Sequence, residues 1–268
     1  MNIAQIIILL ATGMGVGFIS GLIGVGGAFI MTPVQYIVYT AMGISSDVAI
    51  KLAFGTSLFV ILPTAISGIL RHSREGAVWW KAAIIMGICS LLFAYGGASL
   101  ATHLPGTTLK ITFGVIALAS GIRMLITRLP QVEPDPKDKA WLLFVWAIPI
   151  GLTTGILGIG GGVLTVPILA MAIRTSMHRA VATSLAVMIF GSIGGIIGYL
   201  INGLGVPGLP DYSIGYIHLP TWAMLAITSI GMAQLGAITA HRLPAHQLRY
   251  IFVVILFFMG LRMLGVFE

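Results

Sequence analysis

The sequence predicts an all-α polytopic membrane protein made of two inverted repeats. Three observations predict it: an excess of apolar residues, a series of long apolar runs, and a glycine motif that occurs twice. Apolar residues make up 58% of the 268-residue chain and charged residues only 8%, whereas a soluble domain has roughly 25% charged residues. So little charge cannot cover a water-facing surface. The net charge of +7 is therefore explained by basic loops beside a membrane rather than by nucleic acid binding.

Most of the apolar runs are long enough to cross a membrane, because a helical span needs about 20 residues. The runs at 28–42 and 162–174 are shorter and follow the glycine motif directly, so they predict half-helices or re-entrant arms. In chain order the runs are 3–22, 28–42, 48–70, 78–101, 107–127, 140–157, 162–174, 180–202, 217–240 and 245–266.

The repeated motif is a glycine-rich break inside an apolar run. The first copy is Gly-Leu-Ile-Gly-Val-Gly-Gly-Ala-Phe at 21–29, followed by Pro33; the second is Gly-Ile-Leu-Gly-Ile-Gly-Gly-Gly-Val at 155–163, followed by Pro167. Glycine weakens a helix and lets the backbone turn tightly. A broken helix at membrane depth persists only where it is buried in protein or lines a watery cavity. Two matching breaks therefore point to a transporter's binding site.

The two halves match well beyond the glycines, which indicates an internal duplication. The chain accordingly divides into a first transmembrane repeat at 1–128, a proline-rich, charged linker at 129–139 and a second transmembrane repeat at 140–268. Each repeat is expected to contain one glycine-broken hairpin and three transmembrane helices. The matched segments are 17–33 with 151–167, 56–58 with 183–185, 97–98 with 236–237, 104–105 with 243–244, and 121–125 with 260–264.

The basic residues predict how the halves are oriented. If the chain crosses the membrane through the breaks, the 14 basic residues divide eight against six; if it reverses at each break, they divide eleven against three. The second division fits the positive-inside rule. We therefore expect an inverted topology, with linker 129–139 in the cytoplasm and both termini outside. The three outer basic residues are then Lys51, Lys110 and Arg262.

A binding site for a small anion is predicted between the two breaks. A helix N-terminus presents unpaired N–H groups and partial positive charge, and glycines leave those groups open to a ligand. Hydroxyls in the Thr-Ser pairs can donate to an oxyanion, and Gln35 adds an amide where the second half has Leu169. The predicted substrate-binding residues are Gly24, Gly26, Gly27, Ala28, Pro33, Gln35, Thr56, Ser57, Gly158, Gly160, Gly161, Gly162, Pro167, Thr183 and Ser184.

Charged and titratable residues narrow the kind of substrate. Lys51 and His178 occupy corresponding positions near opposite faces and are candidates for gating or for attracting the anion. All seven acidic residues fall in loops or at the termini, which argues against a cation substrate. The six histidines show no ligand spacing, so we expect no metal, and likewise no catalytic residues and no cofactor.

Each of these features also has a purely structural interpretation. Gly-x-x-x-Gly spacing at 17–21 and 151–155 favours close helix packing, and the breaks themselves could serve packing alone. Threonine and serine hydroxyls often bond back to the preceding helical turn. The helix after the first break could begin near residue 28 or at Pro33. Whether the protein forms a homo-oligomer also stays open.

In this order the motifs resemble the sulfite exporter TauE/SafE family, also called the 4-toluene sulfonate uptake permease family. The resemblance rests on both Gly-x-Gly-Gly…Pro motifs, both Thr-Ser-Leu segments, Arg-Glu-Gly-Ala-Val-Trp at 74–79 and the paired Gly-x-Arg-Met-Leu endings, and it covers nearly the whole chain. One departure is Ala28, where the second copy keeps Gly162.

The resemblance implies a permease for small organic or inorganic sulfur anions such as sulfite or sulfonates. We expect a secondary transporter, an exporter or permease of the bacterial inner membrane, that works by alternating access. The alternatives are an anion channel of the same architecture and a non-transporting membrane subunit whose glycine motifs only pack helices. The expected partners are the anionic substrate and the lipid bilayer.

Overall fold

The computed structural model describes residues 2–24, 26–126, 139–240, 242 and 245–266, so most of the predicted linker at 129–139 lies outside the described residues. Within these ranges the regular structure is helical apart from one isolated β-bridge between Ser213 and His218. The helices are α1 (Ile3–Ile23), α2 (Ala28–Ala41), α3 (Ser46–Arg74), α4 (Trp80–His103), α5 (Gly106–Ile126), α6 (Ala140–Leu157), α7 (Gly162–Pro167), α8 (Met177–Gly203), α9 (Leu219–Ala240) and α10 (Ala245–Met263).

Six of the described helices are long and apolar enough to cross a membrane: α1, α3, α4, α6, α8 and α9. Large apolar side chains point outward from them, such as Leu92 at 65% and Ile227 at 74% exposure. An exposed apolar surface of this kind suits a lipid environment and not water. The all-α polytopic membrane fold predicted from the sequence is therefore confirmed.

Left-handed glycines end the helix before each break. Gly24 (φ 70°) caps α1 and Gly158 (φ 63°) caps α6, each donating its N–H to the carbonyl four residues earlier. Side chains make this conformation cost roughly 1–2 kcal/mol, which glycine avoids. The next helix begins at Ala28, so the start near residue 28 is the correct alternative and Pro33 lies inside α2. In the second half a π-helical turn at Ile168–Ala172 follows α7.

Small residues bring α1 against α9 and α6 against α4. Gly13, Gly17 and Gly21 lie against the backbone of α9 at positions that follow in the same order along the chain. Gly151 and Gly155 lie against the backbone of α4 in the same way. A side chain at these positions would overlap the neighbouring backbone, as in other small-residue interfaces between membrane helices. Both pairs of helices are therefore parallel and closely packed.

The chain reverses direction at the first break. The Trp222 Nε1–H donates to the Phe59 carbonyl at 3.0 Å, and the Thr64 and Ser229 hydroxyl oxygens are 2.7 Å apart. Residue numbers rise together in these contacts, so α3 is parallel to α9. Because α1 is parallel to α9 as well, α2 runs back between α1 and α3.

The second break reverses the chain in the same way. Gly194 lies against Leu91 and Gly198 against Tyr95, so α8 is parallel to α4. Since α6 is also parallel to α4, the segment between them, α7 with its π-helical turn, runs back. Each half thus contains a helix that is followed by a shorter, returning arm.

Corresponding helices of the two halves meet in antiparallel pairs. Gly68 of α3 lies against Leu185 of α8, and Gly195 of α8 lies against Leu58 of α3, so the numbers fall along one helix as they rise along the other. Helices α5 and α10 are antiparallel by the same criterion. Helices α3 and α8 are also the most buried of the long helices, and they form the centre of the molecule.

Candidate functional site

The two glycine breaks face each other across Ile61 and Met188. A Cβ atom at Gly26 would lie 2.9 Å from Met188 Sδ and 3.4 Å from Ile61 Cδ1. A Cβ atom at Gly160 would lie 2.9 Å from Ile61 Cδ1 and 3.4 Å from Met188 Sδ. Both side chains are fully buried. The fold therefore brings two predicted site residues from opposite halves together, and two apolar side chains fill the space between them.

Gly24 in the first break and Gly158 in the second pack against a helix of the other half. A Cβ atom at Gly24 would lie 2.5 Å from the Val181 carbonyl oxygen, and one at Gly158 would lie 2.6 Å from the Phe54 Cα. The Ser184 hydroxyl adds a hydrogen bond to the Gly24 carbonyl at 2.6 Å. These predicted site residues thus hold the breaks against α8 and α3.

The last glycine of each break starts the returning arm. Gly27 precedes α2 and Gly161 precedes α7, and neither provides a side-chain cap. The N–H groups of a helix's first turn have no acceptor within the helix, so Ala28 and Gly162 begin the arms with amides of this kind. Both are buried, as is Pro167 at the end of α7. The two helix starts that the sequence predicts at the breaks are thus present.

A hydrogen-bonded chain of buried polar side chains connects α2 with α3. Gln35 Nε2–H donates to the Ser57 hydroxyl at 2.9 Å, and the Thr32 and Ser57 hydroxyl oxygens are 3.1 Å apart. The Tyr39 hydroxyl lies 3.3 Å from Gln35 Oε1 and 3.4 Å from Thr56 Oγ1. The structure thus joins three predicted site residues, Gln35, Thr56 and Ser57, to Thr32 and Tyr39, which the sequence interpretation did not assign to the site.

The two predicted threonines accept equivalent backbone hydrogen bonds. The His218 N–H donates to Thr56 Oγ1 at 3.0 Å, and the Trp79 N–H donates to Thr183 Oγ1 at 3.0 Å. His218 precedes α9 and Trp79 precedes α4, so the bonds link α3 and α8 to corresponding helix starts. Because α3 and α8 are antiparallel, the two bonds lie toward opposite ends of the helix pair.

A cavity of about 540 Å³ opens beside His218. Its other walls come from Met42 at the end of α2, from residues 209–212 and from Pro220 and Met224 of α9. The His218 Nδ1 is 2.8 Å from the Thr221 hydroxyl, and its ring meets that of Tyr39 edge-on with 5.7 Å between the centroids. His218 therefore lies between this cavity and the buried polar chain.

Lys51 and His178 both have partners near the start of their helices. The Lys51 Nζ is 2.8 Å from Asp47 Oδ2, while Asp47 Oδ1 accepts a hydrogen bond from the Gly106 N–H at 2.7 Å. Lys51 is only 6% exposed, so Asp47 compensates a nearly buried positive charge and also binds the start of α5. His178 Nε2 is 3.1 Å from the Ala240 carbonyl oxygen. Lys51 thus pairs within α3, whereas His178 ties α8 to the end of α9.

The family model that describes the sulfite exporter TauE/SafE matches residues 9–263, which is nearly the whole chain. The chain belongs to the sulfite exporter TauE/SafE family. Its relatives include a probable membrane transporter protein of Methanocaldococcus jannaschii, 36% identical over 259 residues and covering 96% of this chain and 94% of that protein. No solved structure matches the chain.

Two bacterial relatives of the chain are likewise described as probable membrane transporter proteins. A probable membrane transporter protein of Haemophilus influenzae is 26% identical over 258 residues, covering 96% of this chain and 97% of its own. Another, from Xylella fastidiosa, is 33% identical over 198 residues, covering 72% and 74%. The family match and the apolar helices identify this chain as an integral membrane transporter.

Acid should destabilise this protein through His218. Burial lowers the pKa of its imidazole to about 4, and the Asp211 backbone carbonyl opposes part of that effect. A histidine in the unfolded chain titrates near pH 6.5, so the unfolded state takes up the proton first. The contribution of His218 to stability is then lost as pH falls from about 6.5 to about 4, and this contribution changes no further below that.

The test is the melting temperature of the detergent-solubilised protein across this pH range. We expect the wild-type value to fall between pH 6.5 and 4, and the His218→Gln value to fall less steeply. Equal slopes for the two proteins would contradict the burial of a neutral imidazole at this position.

Proposed function

We propose that this protein is a secondary transporter of small sulfur-containing anions, such as sulfite or sulfonates, that works by alternating access. The observation that carries the proposal is the meeting of the two glycine breaks across Ile61 and Met188. Each break leads into a returning helix whose first-turn amides have no intrahelical acceptor, and partial positive charge at such a site suits an anion. The family's description as sulfite exporters supports a sulfur anion as the cargo.

The two halves would act as inverted repeats. The antiparallel pairing of α3 with α8 and of α5 with α10 supports this arrangement, and so does the reversal of the chain at both breaks. With the basic residues inside, linker 129–139 would be cytoplasmic and both termini external, in a bacterial inner membrane. The cavity beside His218 would then open on the external face, and Trp79 would lie toward the cytoplasm.

Transport would require the centre to open on one side at a time. In this structure Ile61 and Met188 fill the space between the breaks, so the centre is closed. Rocking one half against the other would break one of the two equivalent bonds, Thr56 with His218 or Thr183 with Trp79, while the other holds. The amides at the breaks and the hydroxyls of the Thr-Ser pairs would bind the anion, and Lys51 and His178 would gate its passage at opposite ends.

The experiment is an anion panel on the purified protein in liposomes. Uptake and charge movement are recorded for sulfite, sulfate, thiosulfate, sulfoacetate, taurine and chloride. We expect saturable movement of one sulfur anion and none of chloride. Large unitary currents would instead indicate an anion channel. If a correctly inserted protein shows neither uptake nor charge movement for any anion, the result would favour a subunit in which the breaks only pack helices.

A further inference from the structure

We propose that the substrate's oxyanion group binds on one side of the molecule only, at the chain formed by Thr32, Gln35, Tyr39 and Ser57, and that the group is singly charged. This inference rests on the proposed transport of sulfur anions. It narrows the binding groups proposed above, which came from both breaks and both Thr-Ser pairs, to those of the first half, and it specifies the preferred charge. It also assigns the cavity beside His218 as the entrance to that site.

Among the described residues, the positions of the second returning arm that correspond to Thr32 and Gln35 carry no hydrogen-bonding side chain. Thr32 and Gln35 of the first returning arm correspond to Val166 and Leu169 of the second, and all four side chains are buried. Two halves that duplicate the same helices thus differ in their hydrogen-bonding groups at equivalent buried positions. Buried polar groups require hydrogen-bond partners. The groups of the first half supply these partners to one another, and the same groups can supply them to an oxyanion.

The residues at the starts of α9 and α4 also differ in polarity, and again the polar side chains lie on the side of the first returning arm. His218 and Thr221, beside the polar chain, correspond to Trp79 and Ala82 in the alignment that matches 97–98 with 236–237. His218 and Thr221 are hydrogen-bonded to each other through their side chains, whereas Trp79 stacks under Arg179 at 5.0 Å from its guanidinium carbon. Polar side chains therefore lead from the cavity beside His218 toward the interior, on the side of the first returning arm.

The two serines of the Thr-Ser pairs have different partners. Ser184 donates to the Gly24 and Val181 carbonyls, so its hydroxyl is engaged by the backbone that it holds in place. Ser57 is bonded to the side chains of Thr32 and Gln35, which can change rotamer. An entering oxyanion can therefore take over the donors of Ser57, Thr32 and Gln35 without disturbing a glycine break.

An unbroken series of hydrogen bonds links the wall of the cavity to these donors. His218 lines the cavity of about 540 Å³, its N–H bonds to Thr56, and the Tyr39 hydroxyl connects Thr56 with Gln35. Thr32, at the inner end of the polar chain, lies in the second turn of α2, just after the first break. The cavity is within the size range of roughly 300–1,000 Å³ for small-molecule sites. A small sulfonate entering beside His218 would meet neutral donors all the way to the break.

The charge at this site favours a monoanion over a dianion. The donors are amides and hydroxyls, and the positive charge on Lys51 is compensated by Asp47 at 2.8 Å. The carboxylate-bearing Asp211 also lines the cavity and repels a dianion more strongly than a monoanion. The cost of moving an ion out of water rises steeply with its charge, and neutral donors cannot compensate a second negative charge as a cation would.

The test uses methanesulfonate as the monoanionic probe and sulfate as the dianionic competitor, on the purified protein in liposomes. Thr32→Val and Gln35→Leu install the residues of the second repeat. Thr165→Val is the matched control, because it removes a buried hydroxyl from α7. Among the described residues, this hydroxyl donates only to the Gly161 carbonyl of its own helical turn. We expect about tenfold or greater weakening of methanesulfonate affinity in each of the first two variants, the loss for one hydrogen bond to a charged group. The control should stay within about threefold of wild type, and sulfate should compete at least about tenfold more weakly than methanesulfonate.

The outcomes separate this inference from the proposed function. Wild-type affinity in folded Thr32→Val and Gln35→Leu proteins would overturn the one-sided site while anion transport stands, and so would equal weakening in Thr165→Val. Sulfate competing as well as methanesulfonate would overturn the preference for a single charge. If Gln35→Leu does not fold, Thr32→Val decides, since valine is nearly isosteric with threonine. A wild-type protein that moves no anion in the panel would instead overturn the proposed function.

Discussion

A Gly26→Leu variant is expected to fold and to insert into the membrane but to lose at least about 99% of its transport activity. The new side chain would meet the flexible ends of Met188 and Ile61, which can move, and the left-handed backbone adds only about 1–2 kcal/mol. Leucine would nevertheless occupy the space between the two breaks and keep an anion from their amides. Initial uptake rates at equal amounts of inserted protein measure the effect.

Gly205→Leu is the matched control for this prediction. Gly205 has nearly the same backbone angle, φ 76° against 79° for Gly26, but no atom lies within 4 Å of its added Cβ. It therefore carries the same backbone strain in open space, and we expect it to transport normally. If a correctly inserted Gly26→Leu protein transports as well as Gly205→Leu does, the breaks do not form the substrate site.

A Gly158→Leu variant is expected to fail to fold. Its added Cβ would lie 2.6 Å from the Phe54 Cα and 2.8 Å from the Phe54 carbonyl oxygen, and these backbone atoms belong to the central helix α3. Backbone cannot turn aside as a side chain can, so α6 and α3 would have to separate. Overpacking costs of about 1–3 kcal/mol would add to the left-handed strain of about 1–2 kcal/mol and to the lost packing of both helices.

Size-exclusion chromatography and the melting temperature in detergent measure this outcome. We expect aggregated protein, or a melting temperature lower by more than about 10 °C, as a loss of several kcal/mol implies for a chain of this size. Gly208→Leu also has a left-handed backbone but open space around its Cβ, so it should show only that strain and lose less than about 8 °C of melting temperature. A monodisperse Gly158→Leu protein with unchanged stability would contradict the packing of the second break on α3.

The helical architecture was predictable from the sequence because it depends on local rules. Apolar runs of membrane length mark the long helices, and glycine is the residue that enters the left-handed region at little cost. The predicted run at 48–70 thus became α3, Ser46–Arg74, and the predicted short run at 28–42 became α2, Ala28–Ala41. Family membership was equally accessible, since it depends on the order of motifs along the chain.

The start of α2 could not be decided from the sequence. A threonine followed by a proline is a common helix start, and Thr32-Pro33 competed with the glycine end of the break for that role. The structure instead uses Thr32 inside the helix, as a partner of Ser57. Packing against α3 provided the polar partner that made the interior position favourable.

The composition of the polar chain was only partly predictable. Thr32, Gln35 and Tyr39 follow one another at helical spacing, so they lie on one face of α2, and this signal could have grouped them. The link from His218 to Thr56 spans 162 positions in the sequence and depends on α9 packing beside α3. The position of Ile61 and Met188 between the breaks could not be predicted, because nothing distinguishes them from the other apolar residues of their runs.

Counterflow in liposomes that contain only this protein tests the central claim most directly. Liposomes preloaded with an unlabelled sulfur anion are diluted into a trace of the same anion carrying a label. An alternating-access carrier predicts that the label accumulates transiently above its equilibrium level and that the preload accelerates its entry. Entry that the preload does not accelerate and that shows no overshoot would indicate a channel, and no entry would mean that the glycine breaks serve packing alone.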